Sequence, residues 1–274
     1  VTYSGTNTLL SRYRLLHRPN FSPLNVNPMK SVLKRSALAM LLVSANIYFL
    51  NAQTNLSKYE VGLSGGVFVY QGDLTPQQLG SYKTLKPQFA LHLYRIVSPS
   101  FSVRLNVNRG KIYGNDAKYS NPEWRQQRNF NFTTPVTEIS AQGVWSFLAK
   151  REPRFSPYLF AGAGISFLKI KRDWSNINTT VFGEGSDVQN GLAIDASKSL
   201  PRVIPVVPLG AGVRYSLSDR FSLLGETSYR LSFTDYMDGF SKSANPGKND
   251  HYLSHSIGLI YSFGKKNDNW VALR

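Results

Sequence analysis

The chain holds four histidines and no cysteine, so its means of doing chemistry are narrow. Without a thiol there is no disulfide, no thiolate metal site and no lipid-bearing N-terminal cysteine. Hydrolysis of a lipid would need a nucleophile, a base and an orienting group within hydrogen-bond reach. His255 lies near one end of a strand-like segment, flanked by Ser254 and Ser256, but neighbours along a strand point to opposite faces. His92 has no serine or carboxylate at an informative spacing, and His251 falls in a connection. Neither a catalytic centre nor a cofactor is expected. Asp235, Asp238, Asn245, Asn249 and Asp250 offer oxygen ligands for calcium, yet their spacing does not match the helix-flanked calcium loop. Solvated turn residues are the expectation there, with no metal.

Six other charges follow a pattern. Glu60, Arg104, Glu138, Arg214, Glu226 and Arg230 all fall on the polar side of alternating segments. "YEVGLSGGVFVY" from Tyr59 sets Tyr59, Val61, Leu63, Val67 and Val69 against Glu60, Gly62, Ser64 and Gly66, and period two over this length is a strand. The same test finds "QFALHLYRIV" from Gln88, "FSVRLNVNRGKIY" from Phe101, "PVTEISAQGVWSFL" from Pro135 and "PYLFAGAGISFLKI" from Pro157. "PVVPLGAGVRYSL" from Pro205, "FSLLGETSYRLSF" from Phe221 and "YLSHSIGLIYSF" from Tyr252 bring the count to eight.

The connections between them alternate. "SPS", "AKREPRFS" and "SDR" are short, whereas about 72–87, 114–131, 175–202 and 238–251 are long. Long and short loops in alternation around an even number of strands predict an all-β fold, an eight-stranded antiparallel transmembrane β-barrel of the OmpA/OmpX type with short periplasmic turns and long extracellular loops. Apolar parity then faces lipid and polar parity the lumen. Aromatic girdles are expected from Trp145, Phe147, Tyr215, Tyr261 and Phe263 at the short-turn end and from Phe233, Tyr236 and Tyr252 at the long-loop end. Eight strands enclose a lumen that side chains just fill, so the six charges are expected to form a polar network plugging it.

The longest apolar run belongs to none of these strands. "MKSVLKRSALAMLLVSANIYFLNAQ" starts at Met29 with Lys30, Lys34 and Arg35 ahead of an apolar stretch, the form of a secretory signal peptide. The expected organisation is 1–28 as an upstream extension or a start placed too early, 29–52 as signal, 53–264 as outer-membrane barrel and 265–274 as a periplasmic tail. The whole sequence carries 32 basic against 16 acidic residues. Removal of 1–52, with six basic and no acidic residues, leaves 26 against 16, a net of +10. These charges are scattered, without the basic face that reads nucleic acid, and suit contact with outer-membrane lipid and lipopolysaccharide.

Two stretches carry a resemblance. "YEVGLSGGVFVYQGDL" at 59–74 and "GETSYRLSFTDYMDG" at 225–239 resemble the opening strand, and the penultimate strand and loop, of the PorG-like family of outer-membrane barrels. "SPYLFAGAGISF" between them is compatible with it. The resemblance implies a non-enzymatic outer-membrane protein, an accessory component of a type IX secretion and gliding apparatus that contacts periplasmic ring proteins of the PorK/PorN type. It carries no catalytic residue. The positions matching its motif are Gly72, Asp73, Asp235, Tyr236 and Asp238, near the long-loop rim. A standalone surface barrel, adhesive or envelope-stabilising, is the alternative, and a lipid-modifying barrel enzyme is third.

Overall fold

The computed structural model describes residues 56–148 and 154–264. The expectations for 1–28, 29–52 and 265–274 lie outside the described residues. Nine strands form: β1 (Tyr59–Gln71), β2 (Lys86–Ser98), β3 (Phe101–Asn115), β4 (Asn131–Ser146), β5 (Phe155–Leu168), the short β6 (Lys171–Asp173), β7 (Val203–Ser216), β8 (Phe221–Ser232) and β9 (His251–Ser262). Eight of them close into an antiparallel barrel in chain order, β9 pairing back onto β1 from Glu60↔Ser262 to Gln71↔His251. Closure leaves no open edge, so the backbone polar groups of the wall are satisfied without water. β6 sits outside this ring, extending the sheet beside the start of β4.

Alternation sorts the side chains cleanly. Leu63, Phe89, Leu105, Ile139, Ile165, Leu209, Leu223 and Ile257 are exposed on the outer wall, while Ser64, Asn106, Glu138, Ser166, Ser228 and Ser254 are buried within. Apolar outside and polar inside is the reverse of a water-soluble barrel and is the pattern of a wall immersed in lipid. None of the described helices is long and apolar enough to cross a membrane. The short-turn girdle is present in Trp145, Phe147, Tyr215 and Phe263, all exposed.

The long-loop girdle differs from expectation. Phe233 is exposed, but Tyr236 is half-buried and Tyr252 is fully buried, because Tyr252 shares the inward parity of Ser254. Its ring joins an apolar layer with Phe68, Tyr70, Ile112, Phe132, Val136 and Val206 from the strands and Leu74, Phe130, Leu192, Met237 and Phe240 from the loops. A second layer, Tyr94, Val144, Tyr158, Phe160, Leu224 and Ile260, lies toward the short-turn end. Between the two layers the lumen is polar, and a further polar group, Glu60, Ser222 and Ser262, lies at the short-turn end. Space for the second layer comes from glycine: Tyr158 and Phe160 of β5 pair with Gly212 and Gly210 of β7. A Cβ at Gly212 would sit 2.5 Å from the Tyr158 ring.

The long connections are folded. α1 (Trp124–Arg128) lies between β3 and β4, and α2 (Asp187–Ser197) between β6 and β7. α2 starts where the Ser186 side chain accepts from Gln189 N at 3.3 Å, a standard N-cap.

Candidate functional site

The six inward charges meet in three ion pairs. Arg104 of β3 pairs with Glu226 of β8, Arg230 of β8 with Glu138 of β4 at 3.1 Å, and Arg214 of β7 with Glu60 of β1 at 2.7 Å. In the eight-strand ring β3 and β8 stand opposite each other, so the first pair spans the lumen. The other two join strands three places apart.

The remaining hydrogen-bonding capacity is largely taken up by neighbours. Arg104 donates through Nε to Gln142 Oε1 at 2.8 Å and through Nη1 to the Tyr94 hydroxyl at 3.0 Å, and Tyr158 donates to Glu226 at 2.9 Å. Glu138 accepts from Tyr252 at 2.9 Å and from Ser140 at 3.0 Å, while Ser262 donates to Glu60 at 2.7 Å. The Arg104 guanidinium also lies 4.4 Å from the Phe160 ring centroid. Paired and hydrogen-bonded charge is the form in which charge survives burial.

A serine–histidine contact hides in the same layer. Ser64 Oγ lies 2.8 Å from His92 Nε2, a pairing that spacing along the chain does not reveal because it crosses from β1 to β2. The cavity it borders, between Arg104, Gln142 and Glu226, is about 10 Å³, room for one water at most. Among the described residues His92 Nδ1 meets no partner at hydrogen-bond geometry, and the neighbour acting on the ring is the Asn106 side chain, not a carboxylate that would orient it as a base. His255 points outward, as parity requires. Its Nε2 is 2.9 Å from the Tyr82 hydroxyl and its Nδ1 3.0 Å from Thr227 Oγ1. Ser254 faces the lumen, 2.9 Å from Ser228.

At the long-loop end the motif positions come together. Asp73, Asp235, Tyr236 and Asp238 join Asp250, Tyr70 and Asp195 in a carboxylate-rich cap, and Gly72 packs against Asp250 and the Tyr70 ring. The expectation of solvated turn residues is corrected here: Asp238 and Asp250 are fully buried, because the loop folds back over the apolar layer. Of the other residues of that set Asp235 is half-buried, and Asn245 and Asn249 are exposed.

The Tyr70 hydroxyl is 2.7 Å from both Asp238 Oδ2 and Asp250 Oδ1. A phenol has one proton to give. Full use of both contacts calls for a proton on one carboxyl of the pair. Burial pushes both Asp238 and Asp250 well above the usual carboxylate range, and the neighbouring aspartates add to it. Asp73 is raised to about 7, by burial first and then by Asp235. Among the described residues no group of three or more His, Asp or Glu has the geometry to hold a metal ion.

Asp195 behaves oppositely. Burial raises it, but hydrogen bonds from Ser243, Ser241 and Lys242 outweigh that and hold it below the usual range. It accepts from Ser243 Oγ at 2.7 Å, the amides of Ser241, Lys242 and Ser243, and Tyr236 OH at 3.2 Å. This stitches α2 to the loop before β9. Asp116 binds Arg125 at 2.9 Å and Arg128 at 2.6 Å, and Arg125 donates onward to the carbonyls of Asp73 and Thr75. The amide of Asn178 donates to Gln127 O at 2.8 Å. All four long loops are cross-tied, and the barrel is closed at this end as well as in its middle.

A family model described as a domain of unknown function, DUF6089, matches residues 35–270. No curated protein matches. Among solved structures the chain is similar to Neisserial surface protein A, at 16% identity over 75% of this chain and 97% of that one, with a TM-score of 0.42. It is also similar to Ail, the attachment invasion locus protein of Yersinia pestis, solved with the heparin analogue sucrose octasulfate (12% identity, 74% and 96% covered, TM-score 0.40). A major outer membrane protein from Thermus thermophilus is a third (13% identity, 74% and 98% covered, TM-score 0.41).

Proposed function

The chain belongs to the DUF6089 family, and from that premise we propose that it works as a sealed, non-enzymatic barrel of the outer membrane, an accessory component of a type IX secretion and gliding apparatus. The observation that carries the first part is the lumen, which three ion pairs and two apolar layers fill beneath a cross-tied cap. A barrel with no passage acts through its surfaces. The secretion role is supported by the likeness of 59–74 and 225–239 to PorG-like barrels. In this reading the short-turn end and both termini are periplasmic, and that end contacts ring proteins of the PorK/PorN type.

Affinity purification of the tagged protein from mildly solubilised outer membrane tests the proposal. Co-recovery of ring subunits is the expected result. Recovery alone would remove the secretion role and leave a standalone surface barrel, a reading favoured by the fixed surface of the cross-tied loops. Deletion of the gene separates the two again, since only the first predicts a defect in bulk secretion. The lipid-modifying alternative predicts that deletion alters lipid A and that His255→Ala reproduces the change. His255 instead spends both ring nitrogens on Tyr82 and Thr227.

A further inference from the structure

The outer wall is not uniform around the barrel. Across β2–β5 one row of outward side chains reads Leu91, Val107, Ile139 and Ile165, entirely apolar. One row nearer the long loops it reads Phe89, Arg109, Thr137 and Phe167. Above that, Lys111 opposes Pro135, whose carbonyl accepts from the amide of Lys169 at 3.1 Å. Next, Tyr113 and Lys171 flank Thr133, and the Lys86 ammonium lies 4.5 Å from the Tyr113 ring centroid. Arg109, Lys111, Lys169 and Lys171 are all exposed.

Four exposed cations therefore gather on one side of the wall just above the apolar belt, and Lys86, on the inward parity at the start of β2, reaches the Tyr113 ring beside them as a fifth. Alternate residues along a strand are about 7 Å apart and strands two places apart about 10 Å, so Arg109, Lys111, Lys169 and Lys171 form a compact array. No carboxylate stands in these three rows. The nearest is Asp173, one row higher, whose oxygens are taken by Asn131 at 3.3 Å and the amide of Ser175 at 2.9 Å. None of the five cations belongs to an ion pair among the described residues. On the other strands the outward positions toward this end, Val203, Pro205, Leu231, Phe233, Leu253, His251, Val69 and Gln71, carry no lysine or arginine, and exposed Arg202 stands singly just before β7.

Like charges crowded at the edge of lipid repel one another unless an anion joins them. Its charge must sit at headgroup height while its body lies along the apolar rows beneath. We propose that the outer wall of β3–β5 at the long-loop end is a binding site for the phosphate groups of an outer-leaflet glycolipid of the lipid A type, with Lys111 and Lys169 as its central contacts and Phe89 and Phe167 against the acyl chains. This deepens the outer-membrane reading above and rests on it.

Native mass spectrometry of the full barrel, with diphosphorylated lipid A, dephosphorylated lipid A, phosphatidylglycerol and inorganic phosphate as separate probes, tests the site. Diphosphorylated lipid A should remain bound, and binding should fall at least about tenfold on dephosphorylation. The Lys111→Gln/Lys169→Gln double variant should lose binding to a similar degree, whereas Arg95→Gln, on the outer wall at the short-turn end, should leave it unchanged. Equal retention by wild type and the double variant would overturn the proposal. So would equal binding of the dephosphorylated lipid, or a preference for phosphatidylglycerol or free phosphate. Labelling of a Lys248→Cys variant on intact cells with an impermeant maleimide reports the orientation independently. Lysine-dependent lipid A binding without surface labelling would put the long-loop end in the periplasm and overturn the outer-leaflet assignment, while loss of binding with labelling intact would overturn the site and spare the orientation.

Discussion

Replacing Arg104 alone by methionine should cost about 2 kcal/mol more than replacing Arg104 and Glu226 together. Arg104 and Glu226 are almost wholly buried, with side-chain exposures of 1% and 7%. Losing the guanidinium strands a carboxylate in the lumen, and stranding one partner of a buried pair costs about 3–5 kcal/mol. Gln142 and Tyr94 lose a donor as well. Tyr158 still donates to Glu226, which places the single variant toward the lower end of that range. In the Arg104→Met/Glu226→Met double variant no charge is stranded. What remains is the loss of partners by Gln142, Tyr94 and Tyr158, about 1 kcal/mol each. A double-mutant cycle should therefore return a coupling energy of about 2 kcal/mol or more. Urea titrations of folding into phosphocholine vesicles, followed by the fluorescence of Trp145 and its companions, would measure it. A coupling energy within about 0.5 kcal/mol of zero would refute the pairing across the lumen.

Three further outcomes follow from the cap and the wall. Asp73 has a folded-state pKa raised to about 7 from 3.8, so the folded protein binds the extra proton. Stability should then rise as pH falls from about 7 toward 4, by up to about 4 kcal/mol from this group. Asp73→Asn should flatten that part of the pH profile of urea unfolding, and an unchanged profile would contradict it. Asp195→Ala should free the amides of Ser241, Lys242 and Ser243, raising their hydrogen exchange by more than tenfold while the barrel midpoint stays put. Ile257 is 77% exposed on the outer wall, and Ile257→Arg should cost about 2–4 kcal/mol in vesicles; no cost there would argue against a lipid-facing wall.

Period two carried most of the architecture, since each of the eight alternating segments maps onto a strand of the ring. The same parity marked Glu60, Arg104, Glu138, Arg214, Glu226 and Arg230 as inward residues, yet it could not say which charge meets which. Partners such as Arg104 and Glu226, 122 residues apart, are set by how the ring closes and by the tilt of its strands. Position misled where parity would have served: Tyr252 stands near a strand end like a girdle residue but alternates with the inward serines. The cap was the least legible part. Asp195 finds its acceptor role 46–48 residues downstream, through loop folding that no periodicity encodes. The Ser64–His92 contact went unseen for the related reason that it lies across strands.

A barrel without a passage does not conduct, and conductance of the purified protein in a planar bilayer tests this most directly. Wild type should insert without opening steady ion-conducting channels, and should remain closed from neutral to mildly acidic pH. Stable, stepwise conductance from the wild-type protein would contradict the account.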